Sequence, residues 1–235
     1  MRGLLICLFV ALAAPAFADT TADYAAPSGA ITMTIEIAAN GDLRGNIRGR
    51  SGDYLLMRNG QGYFVVSTPN GLFVDRVEDQ VAALKIVAER HPVFLARMKA
   101  VGVPAGHFLG KGDDIVVQGR KGTPYYFGGR PRFGLPPILV ISSDAELAPL
   151  GVAMERLNVM FDSLQSFAGG DPVNLEMETI MKSGAPVAVT GAELTRISHD
   201  PIPSSRFELP AAPESRDDII KRIDATATSQ SVRAF

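Results

Sequence analysis

Residues 54–67 read YLLMRNGQGYFVVS, and this stretch decides the fold. Its two flanks, 54–57 and 63–67, are mostly apolar, and the second is rich in the aromatic and β-branched side chains that favour strands. Asn59 and Gly60 open the polar link between the flanks, and both residue types are typical of tight turns. The stretch therefore predicts a β-hairpin, in which two neighbouring strands run antiparallel.

The residues on either side of the hairpin continue the strand pattern. Apolar residues alternate with more polar ones over 31–38, which is the period of a strand with one apolar face. A turn at 40–42 leads into a weaker strand over 43–47, and a further short strand is expected over 72–74. The first third of the chain therefore predicts an antiparallel β-meander.

Two segments carry apolar residues at the three- and four-residue spacing of a helix that packs on one side. The first segment, 77–88, is followed by Pro92, at which we expect a kink or the start of a second short helix. The second segment, 147–164, follows Ser143 and Glu146, whose spacing matches a capping box. A long helix that lies across a sheet is predicted there.

The remaining apolar runs are short and predict further strands. The order along the chain is strands, helix, short strands, helix and strands, without an internal repeat or βαβ alternation. This order predicts an α+β fold, in which a curved, mainly antiparallel sheet forms an incomplete barrel with helices on its concave or open side. The further strands are expected at 115–117, 125–127, 138–141, 173–178, 187–190, 193–197 and 206–209.

Residues 1–18 have the pattern of a secretory signal peptide. A positively charged start precedes an apolar run over 4–14, and Ala16 and Ala18 place small residues before Asp19, so cleavage is expected between Ala18 and Asp19. The run is too short to cross a bilayer, since a spanning helix needs about 20 apolar residues. We therefore expect an exported, periplasmic protein without a stable membrane anchor.

The export signal sets the expected boundaries of the rest of the chain. Residues 19–29 are rich in Ala, Thr, Pro and Ser and predict a flexible leader. Residues 30–210 are expected to form a single domain, and 211–235 a tail with a short helix around 217–223. Cys7, the one cysteine, is interpreted as an apolar residue of the signal, so the mature chain has no disulfide or thiol chemistry.

Composition narrows the range of partners. The formal net charge is −2, and the charged residues are well mixed along the chain, which offers no electrostatic basis for binding nucleic acid. No polybasic cluster is present to hold an anionic membrane surface. Hydrophobic residues make up 46% of the chain, which is enough for a substantial core.

Catalytic and metal-binding motifs are scarce in the sequence. His91, His107 and His199 form no close pair of the kind that a zinc site needs. The carboxylate pairs at 113–114 and 217–218 fit a solvated loop and a helix start. We therefore expect no catalytic residue, no metal and no cofactor, and a protein that is not an enzyme. A hydrolase whose Ser-His-Asp triad is assembled only by the fold stays an alternative.

The layout resembles a known group of exported proteins. The similarity rests on the signal, the meander with its Gly-rich hairpin at 53–67, the long helix, and the short sequences GAPV at 184–187 and FELP at 207–210. In these features the chain looks like the periplasmic relatives of the lipoprotein carriers LolA and LolB. The resemblance extends over 30–210. It implies a strongly curved antiparallel sheet in an incomplete barrel, helices that plug its open side, and apolar ligands such as acyl chains in between. The chain lacks the lipid-attachment cysteine of the anchored relatives.

A hydrophobic ligand needs a concave apolar wall with few polar groups. In this chain the wall is expected on the strand faces and on the facing helix, and the headgroup of an amphiphile is expected near the arginine-containing loop after residue 127. The predicted wall residues are Met33, Ile35, Tyr54, Leu56, Phe64, Phe73, Met154 and Met177, and the predicted headgroup residues are Tyr125, Arg130, Arg132 and Phe133.

Two further readings of the sequence compete with the hydrolase alternative. The leading hypothesis is a periplasmic binding or carrier protein for a lipid or another apolar small molecule. The other is an interaction or assembly factor that binds an envelope protein and carries no small molecule. The space between the sheet and the helices discriminates them, because a carrier needs a large apolar cavity there and an interaction module does not.

Overall fold

The computed structural model describes residues 18–46, 52–68, 71–93, 96, 108–128, 136–165 and 172–232. They form an open antiparallel sheet with helices packed against it, which confirms the α+β class. The strands are β1 (Thr20–Ala25), β2 (Ile31–Ile37), β3 (Leu43–Asn46), β4 (Tyr54–Arg58), β5 (Gln61–Thr68), β6 (Gly71–Arg76), β7 (Leu109–Lys111), β8 (Ile115–Val117), β9 (Arg120–Phe127), β10 (Leu139–Ser142), β11 (Ala185–Val189) and β12 (Ala192–Ser198). The helices with described bounds are α1 (Val77–Arg90), α2 (Ala148–Gln165), α3 (Pro172–Met181) and α4 (Arg216–Val232).

The first strand of the chain lies in the middle of the sheet. The strand order is β6-β5-β4-β3-β2-β1-β12-β11-β10-β9-β7, with β8 paired to β9 outside this path. β1 is antiparallel to β2 on one side and to β12 on the other. Residues 19–29, expected to form a flexible leader, therefore contain the strand that joins the two halves of the sheet. The local composition hid this strand, because half of its residues are Thr or Asp and its apolar residues, Ala22, Tyr24 and Ala25, include no aliphatic β-branched side chain.

The hairpin over residues 54–67 is confirmed. β4 and β5 pair from Tyr54 with Val65 to Arg58 with Gln61, and the two-residue link has positive φ angles of 50° at Asn59 and 77° at Gly60. This is the backbone of a type I′ turn, which matches the right-handed twist of the flanking strands. The predicted strands around it, β2, β3 and β6, complete the antiparallel meander.

The long helix α2 lies close against the sheet, on the face that carries Ile35 and Leu55. Leu157 and Met160 from the helix enter positions where the strands carry glycine. A Cβ atom at Gly45 would lie 3.0 Å from Leu157, and one at Gly62 would lie 3.0 Å from Met160. Glycine at these positions therefore lets the helix pack directly on the strands.

The start of α2 differs from the predicted capping box. The carboxylate of Asp144, and not the Ser143 hydroxyl, accepts the Glu146 amide proton at 3.1 Å. This cap begins a short 3-10 turn, Ala145–Leu147, and the α-helix follows at Ala148. Asp and Ser are both good N-caps, so the sequence places the start of the helix better than it identifies the capping side chain.

The strand predicted over 173–178 is wrong, because these residues belong to helix α3. Val173, Ile180 and Met181 are buried, at the i, i+7 and i+8 spacing of one helix face. Pro172 occupies the first position of the helix, where proline is favoured. Three alternating pairs are too few to distinguish a strand from a helix.

The strand predicted over 206–209 is also wrong. The chain there forms a 3-10 turn, Ser204–Phe207, that covers the sheet face turned away from α2. Phe207 is buried against Tyr54 and Leu56 in a second layer of apolar packing. The sheet is therefore covered on both faces along the meander.

The C-terminal helix α4 is longer than the short helix expected around 217–223, and it packs on α1. Its apolar contact with α1 is small, centred on Val87 and Ala227. Ion pairs supplement this contact. Arg216 donates to Asp79, and Asp224 accepts from Arg90 at 2.8 Å.

Candidate functional site

Four of the predicted wall residues share the main core between the sheet and α2. Ile35 and Met154 are 1% and 6% exposed, and Met33 and Phe64 pack against the same cluster while half-buried. These side chains are in contact with α2 and its neighbours. They fill the space in which a carrier cavity was expected.

The other predicted wall residues lie elsewhere. Tyr54 and Leu56 face the opposite side of the sheet, because side chains alternate along β4 and Leu55 takes the inner face. Met177 belongs to a separate cluster under α3. Phe73 lies beneath Arg222, whose guanidinium carbon is 4.9 Å from the centroid of the Phe73 ring. The eight residues therefore do not form one wall.

A surface concavity instead lies beside the N-terminal half of α2. We call it the α2 slot; its volume is about 280 Å³, and it opens to solvent. Small and apolar side chains form most of it, which leaves room between the helix and the end of β2. The slot is lined by Ala18, Ile37, Ala38, Ala39, Gly41, Leu43, Ala148, Pro149, Val152, Ala153 and Arg156. Ala18 precedes the predicted cleavage site, so a mature chain that starts at Asp19 would form the slot from the other ten residues.

The α2 slot has one charged residue at its rim. Arg156 is exposed and makes no ion pair with any residue that the structure describes. Its guanidinium lies near the β2–β3 turn, 3.8 Å from the position of a Cβ atom at Gly41. An apolar slot with a guanidinium that has no ionic partner in the described part of the chain suits an apolar molecule that ends in an acidic group.

A second concavity, of about 300 Å³, lies over the first half of β9 and the end of β10. We call it the β9 pocket, and its lining is mostly polar. Asp114 accepts a hydrogen bond from the Thr123 hydroxyl at 2.8 Å and pairs with Lys121 at 3.0 Å. These two contacts lower the pKa of Asp114. The pocket is lined by Lys111, Asp114, Lys121, Gly122, Thr123, Tyr125, Ile141, Ser143 and Ser183.

A groove of about 320 Å³ lies between the α2 slot and the β9 pocket and shares lining residues with both. It runs past the start of α2 and shares Ala148 and Val152 with the slot. At its other end it shares Ser143 and Ser183 with the pocket. The three concavities are therefore neighbours on the surface, with the apolar slot on one side of the groove and the polar pocket on the other.

Of the predicted headgroup residues, Tyr125 lines the β9 pocket. Arg130, Arg132 and Phe133 lie outside the described residues. Sequence reasoning missed Arg156 and both lysines of the pocket. The small residues at positions 148, 149, 152 and 153 were a signal for the slot, because they follow helical spacing beside the buried stripe of α2.

The two described histidines lie in different parts of the molecule. His91 contacts Asp224 at 3.1 Å between α1 and α4, whereas the His199 ring lies 3.3 Å from the Thr20 hydroxyl at the start of β1. His107 lies outside the described residues. Among the side chains that are described, no group of three or more His, Cys, Asp or Glu residues could hold a metal ion.

Comparisons of the chain with protein-family models, with curated proteins and with solved structures find no match. No helix within the described ranges has the length and apolar character needed to cross a membrane. The fold and the geometry of the concavities therefore carry the functional argument.

Proposed function

We propose that this chain is an exported, periplasmic binding or carrier protein for a lipid or another hydrophobic molecule, and that the α2 slot holds the apolar part of that molecule. The observation that carries the proposal is an apolar concavity, open to solvent, with a guanidinium at its rim that pairs with no carboxylate among the described residues. Membership of the LolA- and LolB-like superfamily is part of the same proposal, and the layout described from the sequence supports it.

The size of the slot narrows the ligand. A volume of about 280 Å³ is at the lower end of small-molecule sites, which occupy roughly 300–1,000 Å³. The core between sheet and α2 offers no second apolar chamber at the predicted wall residues, since Ile35 and Met154 are packed there. The slot therefore suits one acyl chain better than a lipid with two or three chains.

Titration with a dansyl-labelled undecanoic acid tests the proposal. We expect saturable binding with a dissociation constant in the micromolar range, and a loss of about tenfold in the Val152→Asn variant, because a polar side chain then replaces part of the apolar wall. Val159→Asn is the matched control. Val159 is 42% exposed and Val152 is 49% exposed on the same side of α2, but only Val152 lines the slot.

The outcomes separate the proposal from nonspecific adsorption. Equal weakening by both variants, or no saturable binding by the native chain, would rule out the slot as the site. Arg156→Gln should weaken binding of the acid more than binding of the corresponding alcohol, since only the acid carries a charge. Native mass spectrometry of the purified protein shows whether a lipid is retained.

An envelope interaction factor is the second candidate. The observation that favours it is the exposure of Val152 and Val159, one heptad apart on the outer side of α2. A partner that docks on this stripe would lose affinity with both asparagine variants. A small ligand in the slot would respond to Val152→Asn alone.

A further inference from the structure

We propose that the β9 pocket binds a phosphate-type oxyanion, either as a free ion or as the headgroup of an amphiphile. The pocket is formed by different residues from the α2 slot, so an oxyanion can bind there whether or not the slot is occupied. It rests on the charges of the pocket, on its free hydrogen-bond donors and on its concave shape.

Among the described charged groups of the β9 pocket, lysines outnumber carboxylates by two to one. Lys111 and Lys121 face a single carboxylate, that of Asp114. Asp114 is already engaged by Lys121 at 3.0 Å and by the Thr123 hydroxyl at 2.8 Å. Lys111 makes no ion pair with any described residue, so its ammonium group is available to an anion.

Hydroxyl donors line the same concavity. The hydroxyls of Tyr125 and Ser143 make no hydrogen bond to another described residue, whereas Ser183 donates to the carbonyl oxygen of Ile180 at 2.6 Å. Tyr125 is half-buried against the cluster under α3, which limits the movement of its ring. An ammonium group and two free hydroxyls suit an oxyanion with several acceptor oxygens better than a neutral ligand.

The pocket also limits the kind of anion. Its volume of about 300 Å³ and its walls from β9 and β10 admit a compact group. The chain as a whole carries a net charge of −2, so it offers no overall positive charge that would favour a polyanion such as nucleic acid. A single phosphate group meets the donors of the pocket and needs no such overall charge.

Calorimetric titration of the full chain with inorganic phosphate at low ionic strength tests the inference. We expect saturable binding that weakens about two- to fivefold in Lys111→Gln, an effect of the size expected for one exposed ion pair. Tyr125→Phe should weaken binding as well, because it removes a donor without changing the charge. Lys85→Gln is the charge-matched control, since Lys85 is exposed on α1, away from the pocket.

A second titration, with octyl phosphate below its micellar concentration, separates the two sources of the anion. Tighter binding than inorganic phosphate, with sensitivity to both Lys111→Gln and Val152→Asn, supports a headgroup whose chain reaches the slot. Equal binding of the two probes, without sensitivity to Val152→Asn, supports a free anion.

No binding of either probe, or equal losses in Lys111→Gln and Lys85→Gln, would overturn the oxyanion site. Circular dichroism of each variant checks that the fold is intact. Because the dansyl-labelled undecanoic acid is titrated separately, the slot and the pocket can fail independently of each other.

Discussion

Tyr24 is a residue whose role depends entirely on distant parts of the chain. It is fully buried in β1, and its hydroxyl donates to the carbonyl oxygen of Pro186 at 2.6 Å. Burial raises the pKa of Tyr24 well above its ordinary value. The hydrogen bond ties the first strand to β11 across β12, which lies between them.

The raised pKa of Tyr24 predicts a loss of stability at alkaline pH. In the unfolded chain the phenol ionises near pH 10, whereas the folded chain keeps its proton. Above that pH the folded state binds more protons than the unfolded state, so the free energy of unfolding falls as the pH rises. Urea denaturation between pH 8 and pH 11 measures how steeply the free energy of unfolding falls with pH.

Tyr24→Phe is the matching variant. It should lose about 1–2 kcal/mol at neutral pH, because the Pro186 carbonyl loses its donor. Its stability should then fall less steeply above pH 10 than that of the native chain. Identical slopes in the two proteins would mean that Tyr24 ionises normally in the folded state.

Arg222 and Asp75 form a second residue-scale contact that the sequence conceals. Asp75 is 1% exposed on β6, and the Arg222 guanidinium donates both to it and to Glu214. Arg222→Met should cost about 3 kcal/mol in urea denaturation, since the buried carboxylate loses its partner. The double variant Asp75→Leu with Arg222→Met should regain part of this loss. If Arg222→Met were as stable as the native chain, Arg222 would not be the partner that stabilises the buried Asp75 carboxylate.

At the scale of elements, α4 combines a small apolar contact with several ion pairs. Its apolar contact with α1 is small, and Arg216 and Asp224 pair with Asp79 and Arg90 across the interface. By contrast, α2 lies on the main apolar core. Ion pairs at partly exposed sites weaken in salt, and apolar contacts do not.

Hydrogen exchange measures this difference directly. In 1 M NaCl we expect the amide protection of α4 to fall severalfold relative to α2, because screening acts on the ion pairs that attach α4. The helix α2 is the internal control. Equal changes in both helices would show that α4 opens only with the whole domain.

Local sequence signals identified most elements where the pattern was long or the turn chemistry strict. The hairpin with Asn59 and Gly60 and the helices α1 and α2 meet that condition. The short helix α3 did not, because six residues with alternating polarity fit both periods. For α3, packing against Leu139 and Ile141 of β10 decides which face of the helix is buried.

At the scale of the whole molecule, β1 controls whether the two halves of the sheet are joined. Its neighbours β2 and β12 are separated by more than half of the chain. Removing β1 would leave two unpaired strand edges in the middle of the sheet and would expose the core around Ile35 and Leu194.

A chain that begins at Ala30 should therefore fail to form a stable monomer. We expect aggregation in size-exclusion chromatography and loss of cooperative thermal unfolding, because the central ladder cannot form. A chain that ends at Thr228 is the control, since it keeps every strand and most of α4. Cooperative unfolding of the chain that begins at Ala30 would show that the two halves associate without β1.

The candidate site was predictable only in part. The sequence indicated apolar strand faces and selected Tyr125, which lines the β9 pocket. It did not distinguish a ligand wall from a core, since Ile35 or Met154 would be apolar in either role. The slot depends on how far α2 stands from the end of β2, a distance that no local pattern encodes.

The sequence by itself determined the turns, the one-sided helices and the alternating strands of the meander, because these follow from the conformational preferences of neighbouring residues. Only the tertiary structure decided that residues 20–25 form the central strand, that Tyr54 and Leu56 face away from α2, and that the concavities lie on the surface. The reason is physical: each of these outcomes depends on packing partners distant in sequence, such as Tyr24 and Pro186, which local preferences do not bring together.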